Sequence, residues 1–260
     1  MRLCSISSGS RGNAILAYSA KTKLLVDCGI SGKTVCLGLE TLGITPDSLQ
    51  GILVTHEHID HTKGIGILSR KFDLPIYATE STWKAMPASI GKIAPHNIQK
   101  IHADDAFFID DIKIAAFPIP HDAANPIGYT LSANGEKVAV ATDIGELQEG
   151  LFRALKGCQS VLLEANHDIN MLEIGHYPFP LKRRIRGKLG HLSNDEAGKA
   201  AEFLFRMGVK KILLGHLSQE NNYPMLALQT VKNILTEANI LPGQNICLEV
   251  ALQNQISAII

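Results

Sequence analysis

No C-x-x-C pair occurs in this chain. Its five cysteines, Cys4, Cys28, Cys36, Cys158 and Cys247, are odd in number and scattered. That fits neither a disulfide framework nor a structural zinc site, and reads as reduced thiols of a cytoplasmic protein. Net charge is missing too, because 25 Lys plus Arg balance 25 Asp plus Glu. Overall charge therefore gives no hint of a nucleic-acid partner, which would need a local basic patch. Apolar stretches of membrane-spanning length are absent, so no membrane partner is expected. The opening "MRLCSISSGS" lacks the apolar segment of a signal peptide. The single tryptophan, Trp83, reads as core, and no RNA-binding aromatic motif is visible. With neither repeat nor low-complexity linker, residues 1–260 read as one domain.

What is present alternates between strand and helix signals. Strands are expected near Leu3–Ser7 and Asn13–Tyr18 around the turn "SSGSRGN", then at "TKLLVDCG". Val35–Leu42 has helical spacing and ends at Gly43. The run "GILV" reads as a buried strand. A β-rich middle ("IKIAAFPI", "GYTLSAN", "KVAVATD") contains a hairpin signal at Asn134–Gly135. After Asp143 come helix ("ELQEGLFRALKG"), strand ("SVLLEAN"), helix ("SNDEAGKAAEFLFRMG", with a Ser193/Glu196 capping box), strand ("VKKILLGH") and helix (Tyr223–Ala238). Two β-rich stretches, each followed by helices, imply an α/β fold in four layers, an αββα sandwich.

Chemistry concentrates in "THEHIDH", Thr55–His61, directly behind "GILV". Extended backbone would point His56, His58 and Asp60 the same way and His61 the other, so one loop could serve two neighbouring metal ions. Neutral imidazole with carboxylate suits zinc, manganese or iron. Further polar residues end apolar runs: His121, Asp143 and His216. A lone histidine at a strand end is more often solvated than a ligand. Three histidines and an aspartate within six residues make the cluster a metal motif, and the three strand-end residues become candidates with it.

The order H-x-H-x-D-H, His, Asp, His resembles the metallo-β-lactamase superfamily of hydrolases over nearly the whole chain. The resemblance implies the same αββα fold and two divalent ions (Zn, Mn or Fe). His56, His58 and His121 would hold one, Asp60, His61 and His216 the other, with Asp143 bridging. "SSGSRGN", "DCGISGK", "LLEANHD", "YPFPLKRRIRGKLGHLSN" and "LLGHLSQENN" resemble the YycJ group (also WalJ or VicX), nuclease-like proteins with proposed 5′→3′ DNA exonuclease activity. Arg11 and Ala14 depart from that group's "GSSGNC". No room exists between Asp143 and His191 for the cap domain of β-CASP nucleases, and no long exosite arm is visible.

His191, in "GHLS", resembles the histidine with which tRNA 3′-processing enzymes of the superfamily contact the scissile phosphate and protonate the leaving oxygen. Glu164 is a candidate to orient His191, and Asp27 to orient a ligand histidine or the motif loop. Asn166, His167 and Asp168 either line a cleft or cap the next helix, while His96, His102 and His176 read as surface residues. "LKRRIRGK" supplies Lys182, Arg183, Arg184, Arg186 and Lys188 as candidate contacts to a nucleic-acid backbone. The expected activity is metal-dependent phosphodiester hydrolysis, with Asp60 orienting the nucleophile and His191 as acid; the expected partner is nucleic acid, DNA first. A thioester or lactone hydrolase, a di-iron redox protein and a regulatory protein with a structural metal site are the alternatives.

Overall fold

A computed structural model describes residues 1–260. One sheet contains β1 (Arg2–Ser7), β2 (Ala14–Tyr18), β3 (Lys23–Val26), β4 (Gly51–Leu53), β5 (Ile76–Thr79) and β6 (Ile98–Ile101), neighbours in that order. The other contains β7 (Ala106–Ile109), β8 (Ile112–Pro118), β9 (Ile127–Ala133), β10 (Glu136–Ala141), β11 (Ser160–Glu164), β12 (Lys211–Gly215) and β13 (Cys247–Val250), again in chain order. Pairing is antiparallel over β1–β3 and β7–β10. It is parallel over β3–β6 and β10–β13. Helices are α1 (Gly32–Thr41), α2 (Ile59–Thr62), α3 (Ile65–Phe72), α4 (Glu80–Ala85), α5 (Glu149–Leu155), α6 (Ile169–Ile174), α7 (Phe179–Ile185), α8 (Asn194–Arg206) and α9 (Pro224–Glu237). None is long and apolar enough to cross a membrane.

Strand alternation builds the four layers. Leu24 and Val26 of β3 face the space between the sheets with Ile114, Leu131, Leu162 and Leu213, whereas Leu25 faces α1 and α3 through Val35 and Leu68. In β11, Leu162 points inward while Val161 and Leu163 pack on the side of α5, α8 and α9. A strand buried on both faces needs an unbroken apolar run, which is what "SVLLE" and "KILLG" provide. The αββα expectation therefore holds.

Local signals hold in several places. Asn134 and Gly135 both take positive φ (52° and 77°), as a tight hairpin between β9 and β10 requires. Ser193 and Glu196 form the reciprocal capping box of α8. Trp83 is half-buried against the α1 side of the first sheet and donates Nε1–H to Gln99 O at 3.1 Å. Sequence reading did not include β6, β7, α4 or α7. It also began the helix after Asp143 too early: α5 starts at Glu149, and Glu146 instead pairs with Lys188.

The parallel strands deliver their ends to a common edge. β3 runs out at Asp27, β4 at the Thr55–His61 loop, β10 at Asp143, β11 at Glu164 and β12 at His216. β8 is antiparallel to β9, which is antiparallel to β10, so β8 runs with β10 and delivers His121 to the same end. Tyr129 ties the sheets together there, its hydroxyl donating to Val54 O at 2.9 Å.

Candidate metal centre

Three residues at this edge leave their strands in the left-handed region: Asp27 (φ 61°), Asp143 (φ 60°) and His216 (φ 57°). Each such non-glycine costs about 1–3 kcal/mol, so packing and hydrogen bonds must hold it. Asp27 accepts from Thr55 N (2.8 Å) and Thr55 Oγ1 (2.9 Å). His216 donates its backbone N–H to Ser8 Oγ (2.8 Å), and its carbonyl accepts from Asn166 Nδ2 (2.9 Å). Next to Asp143, Ile144 N–H donates to Glu164 Oε2 at 2.7 Å.

The motif loop differs from an extended strand end. β4 stops at Leu53, and Asp60 and His61 lie on the single helical turn α2. Asp60 and His61 thus do not continue the extended backbone expected from the sequence. It is the return of the chain onto α2 that aims both at His216. Ligand atoms of His56, His58 and His121 fall within 4.8 Å of one another, as do those of Asp60, His61 and His216. Asp143 lies between the sets: Oδ2 is 3.4 Å from His61 Nε2, and Oδ1 is 3.7 Å from His121 Nε2 and 3.6 Å from His216 Nδ1.

Four of these rings are held through Nδ1, and His61 Nε2 also meets Asn13 Nδ2 at 3.2 Å. Nδ1 of His61 donates to Asp27 Oδ2 (2.8 Å), that of His121 to Gly190 O (3.1 Å) and that of His216 to Glu164 Oε1 (2.8 Å). Thr55 Oγ1 donates to Asp27 and accepts from His56 Nδ1 (3.0 Å). These bonds assign the tautomers and turn the Nε2 lone pairs inward. His56 Nε2, His121 Nε2, His216 Nε2 and Asp143 Oδ2 are buried without partners. An orphaned buried polar atom costs about 1–3 kcal/mol. Several converging lone pairs without a donor among them fit a cation, and imidazole with carboxylate fits zinc, manganese or iron.

The electrostatics agree. Burial opposes a charge on His61, yet Asp143, Asp27 and Asp60 outweigh it and raise its pKa well above the ordinary value. Burial likewise opposes a charge on His216, but Asp143, Asp60 and Glu164 push it up to about 10. His56 is held well below the ordinary value by burial and by His61, which outweigh the opposing charge of Asp143. Burial favours the neutral forms of Asp60 and Asp143, but neighbouring histidines keep both carboxyls well below the usual range. A surplus of carboxylate here calls for positive charge.

His191 and Glu164 stand beside the cluster. Glu164, fully buried, accepts from His191 Nδ1 (2.9 Å), His216 Nδ1 (2.8 Å), Ile144 N (2.7 Å) and Leu192 N (3.1 Å). Burial raises its pKa, but the His191 charge and the bonds from His191 and His216 bring it down to about 2. His191 lines a cleft of about 370 Å³ with His58, Asp60, His121, Asp143 and His216.

Of the basic run, only Arg184 lines this cleft, and it is bonded to Asp122. Arg186 pairs with Glu173, Lys188 with Glu146 (3.0 Å), and Lys182 donates to Glu173 O (2.6 Å). Arg183 is exposed on α7. Asp168 caps α6, accepting from Met171 N at 2.8 Å, while Asn166 lines the cleft. His96 pairs with Asp73 on the surface, and His102 and His176 are exposed.

Sequence reading missed the work of Ser7–Asn13. Asn13 N–H donates to Asp60 O (2.8 Å), and Asn13 Oδ1 accepts from Gly9 N (3.0 Å). With Ser8 on His216, this loop braces both the α2 turn and β12. The signal was a Ser/Gly/Asn-rich turn ahead of a buried strand. Thr55 and Gly190 were also missed; Asp27 and His121, which they engage, lie 28 and 69 residues away.

His167 is buried, with Nδ1 unpartnered. Burial pushes its pKa down to about 4 from the ordinary 6.5. The unfolded chain therefore binds a proton that the folded chain refuses between pH 6.5 and 4, and stability falls as pH falls through that window, by roughly 3 kcal/mol in all. His167→Gln is expected to shrink the drop in metal-free Tm between pH 7 and 5 by about 5 °C, read by scanning calorimetry. Equal drops in both proteins would refute this.

Inward-facing imidazoles and carboxylates at the open edge of an αββα sandwich are how one large class of hydrolases holds its metals, and sequence comparison reaches the same class. The family described as "Beta-lactamase superfamily domain" matches residues 22–217, and the chain belongs to this superfamily, as a metal-dependent hydrolase of the YycJ/WalJ-like group. It is 39% identical over 239 residues to the exodeoxyribonuclease YycJ of Bacillus anthracis, spanning 92% of this chain and 90% of that one. It is 38% identical over 240 residues to the exodeoxyribonuclease WalJ of Streptococcus pneumoniae, spanning 92% and 89%. Zn(2+)-bound PqqB of Methylobacterium extorquens superposes over 99% of this chain and 100% of that one, with a TM-score of 0.72 at 15% identity, a likeness of fold.

Proposed function

We propose that this chain is a phosphodiesterase that degrades DNA from the 5′ end, with two divalent ions per chain. The observation that carries the reading is the Glu164-held His191 on the rim of two adjacent ligand sets: an oriented proton donor beside a site for phosphate. The names of the curated relatives support it. His56, His58 and His121 would hold one ion and Asp60, His61 and His216 the other, with Asp143 between. Bound there, the ions supply Lewis acidity toward a phosphate and lower the pKa of water. A cytoplasmic setting goes with this reading, since all five cysteines are unpaired.

The protein's own groups divide the remaining work. Asp60 Oδ2 lies 3.5 Å from Nε2 of both His61 and His216, where it orients the attacking water. His191, fixed through Nδ1, uses Nε2 to protonate the departing oxygen, and Glu164 stabilises the charged ring that does so. Arg184 binds an oxygen of the flanking phosphate by exchanging Asp122 for it.

Linear duplex DNA labelled at its 5′ end tests this with manganese-loaded protein. The unmodified chain is expected to release short 5′ products. Asp60→Asn and His191→Ala are each expected to slow release about 10²–10⁴-fold. No release with manganese, zinc or iron would sink the DNA reading, and full activity of Asp60→Asn the mechanism.

A further inference from the structure

Next to the metal-ligand cleft is a larger hollow, of about 610 Å³, that the chemistry above does not use. None of its sixteen lining residues is Asp or Glu. Two are exposed cations, Arg11 and Lys63, and four are amides: Gln219, Gln253, Asn254 and Gln255. Three basic-run residues are already neutralised by Asp122, Glu173 and Glu146, whereas Arg11 and Lys63 make no ion pair. The strongest sequence signal for phosphate binding is thus largely occupied within the fold, and two scattered cations remain available.

The hollow adjoins the cleft along two backbone segments. Ser10 lines the cleft and Arg11 the hollow; Ser218 lines the cleft and Gln219 the hollow. Lys63 directly follows α2, the turn that carries Asp60 and His61. The shared wall is thin: a Cβ on Gly29, which lines the hollow, would come within 1.6 Å of Asp60 O. A chain molecule with its reacting phosphate at the cluster can pass over this wall without leaving the surface.

We propose that the hollow seats the backbone of the nucleic-acid strand that continues from the cleft, with Arg11 and Lys63 each on a phosphate. This rests on the phosphodiesterase reading. Arginine matches phosphate oxygens with a planar fork and lysine with a mobile point charge. Amides add donors and acceptors without charge, and the absence of carboxylates leaves nothing to repel a polyanion. A strand held this way is bound without regard to sequence, and its binding weakens with salt.

The test measures binding of a short fluorescein-labelled single DNA strand by anisotropy, in manganese-loaded His191→Ala protein, which retains every proposed metal ligand. Adding Arg11→Gln and Lys63→Gln together is expected to weaken binding about tenfold. It should also reduce the slope of log affinity against log salt by about 1.4, two phosphates' worth for a single strand. The charge-keeping pair Arg11→Lys and Lys63→Arg should retain the wild-type slope, which rules out misfolding as the cause. An unchanged affinity and slope in the Gln pair, with inorganic phosphate as the only ligand affected, overturns the proposal, as does an intact chain that binds no strand. A small diester, bis(p-nitrophenyl) phosphate, separates this failure from that of the parent reading. If the otherwise unmodified chain hydrolyses neither the diester nor DNA, the phosphodiesterase reading fails. If it hydrolyses both, and the Gln pair keeps the same ratio of DNA to diester hydrolysis, only the assignment of the hollow fails.

Discussion

Asp143→Asn is expected to lower phosphodiester hydrolysis about 10³-fold and to strip the protein of most of its metal. Asp143 has four imidazole nitrogens within 3.7 Å, from His61, His121, His191 and His216, and its Oδ2 is buried without a partner. An amide in the same shape removes the one negative charge shared by both ligand sets and turns an N–H toward rings whose lone pairs point the same way. Breaking a buried charge pair costs about 3–5 kcal/mol. That is about 10²–10⁴ in rate where the pair acts in the transition state. Elemental analysis after dialysis, with kcat on the same sample, decides the matter. A variant that keeps both metal and activity to within about tenfold would mean that Asp143 is not the bridge.

Glu164→Gln is expected to cost about 10²-fold in kcat, with a 10–100-fold loss of metal affinity. Each carboxylate oxygen has its own donors: Oε1 takes His191 Nδ1 and His216 Nδ1, and Oε2 takes Ile144 N and Leu192 N. Whichever way the amide lies, its NH₂ faces a donor. The change therefore disturbs the proposed proton donor and a proposed metal ligand together, or else the strand ends on which they depend. Metal titration and kcat should fall in concert. A loss in kcat with unchanged metal affinity would show that Glu164 serves His191 alone.

The two predictions differ in how far they could be anticipated from the amino-acid order. His56, His58, Asp60, His61, His121, Asp143 and His216 were all legible because each stands in, or just beyond, an apolar run that must be buried. A polar group placed there needs a reason. The layering was equally legible, since "SVLLE" and "KILLG" are apolar on both faces and demand cover on both. Conformation within the motif was less so. The alternation after β4 predicts extended spacing through Asp60, whereas the chain folds onto α2, held by Asn13 N–H on Asp60 O and by Cys28 N–H on His61 O. Those bonds span 47 and 33 residues, and no local pattern encodes them.

Charge shows the same division most sharply. "LKRRIRGK" is the densest basic run in the chain, and its composition advertises a phosphate track. Asp122, Glu173 and Glu146, from separate segments, pair with Arg184, Arg186 and Lys188, and of the run only Arg184 lines the cleft. Arg11 and Lys63 carry no such advertisement, being 52 positions apart and in no basic run. By itself the sequence determined the class of chemistry and the sandwich that carries it, because metal-ligand spacing and burial periodicity are local properties. Only the tertiary structure decided which histidine nitrogen is free, which carboxylate orients which ring and which cations remain unpaired, because each depends on partners brought together from remote parts of the chain.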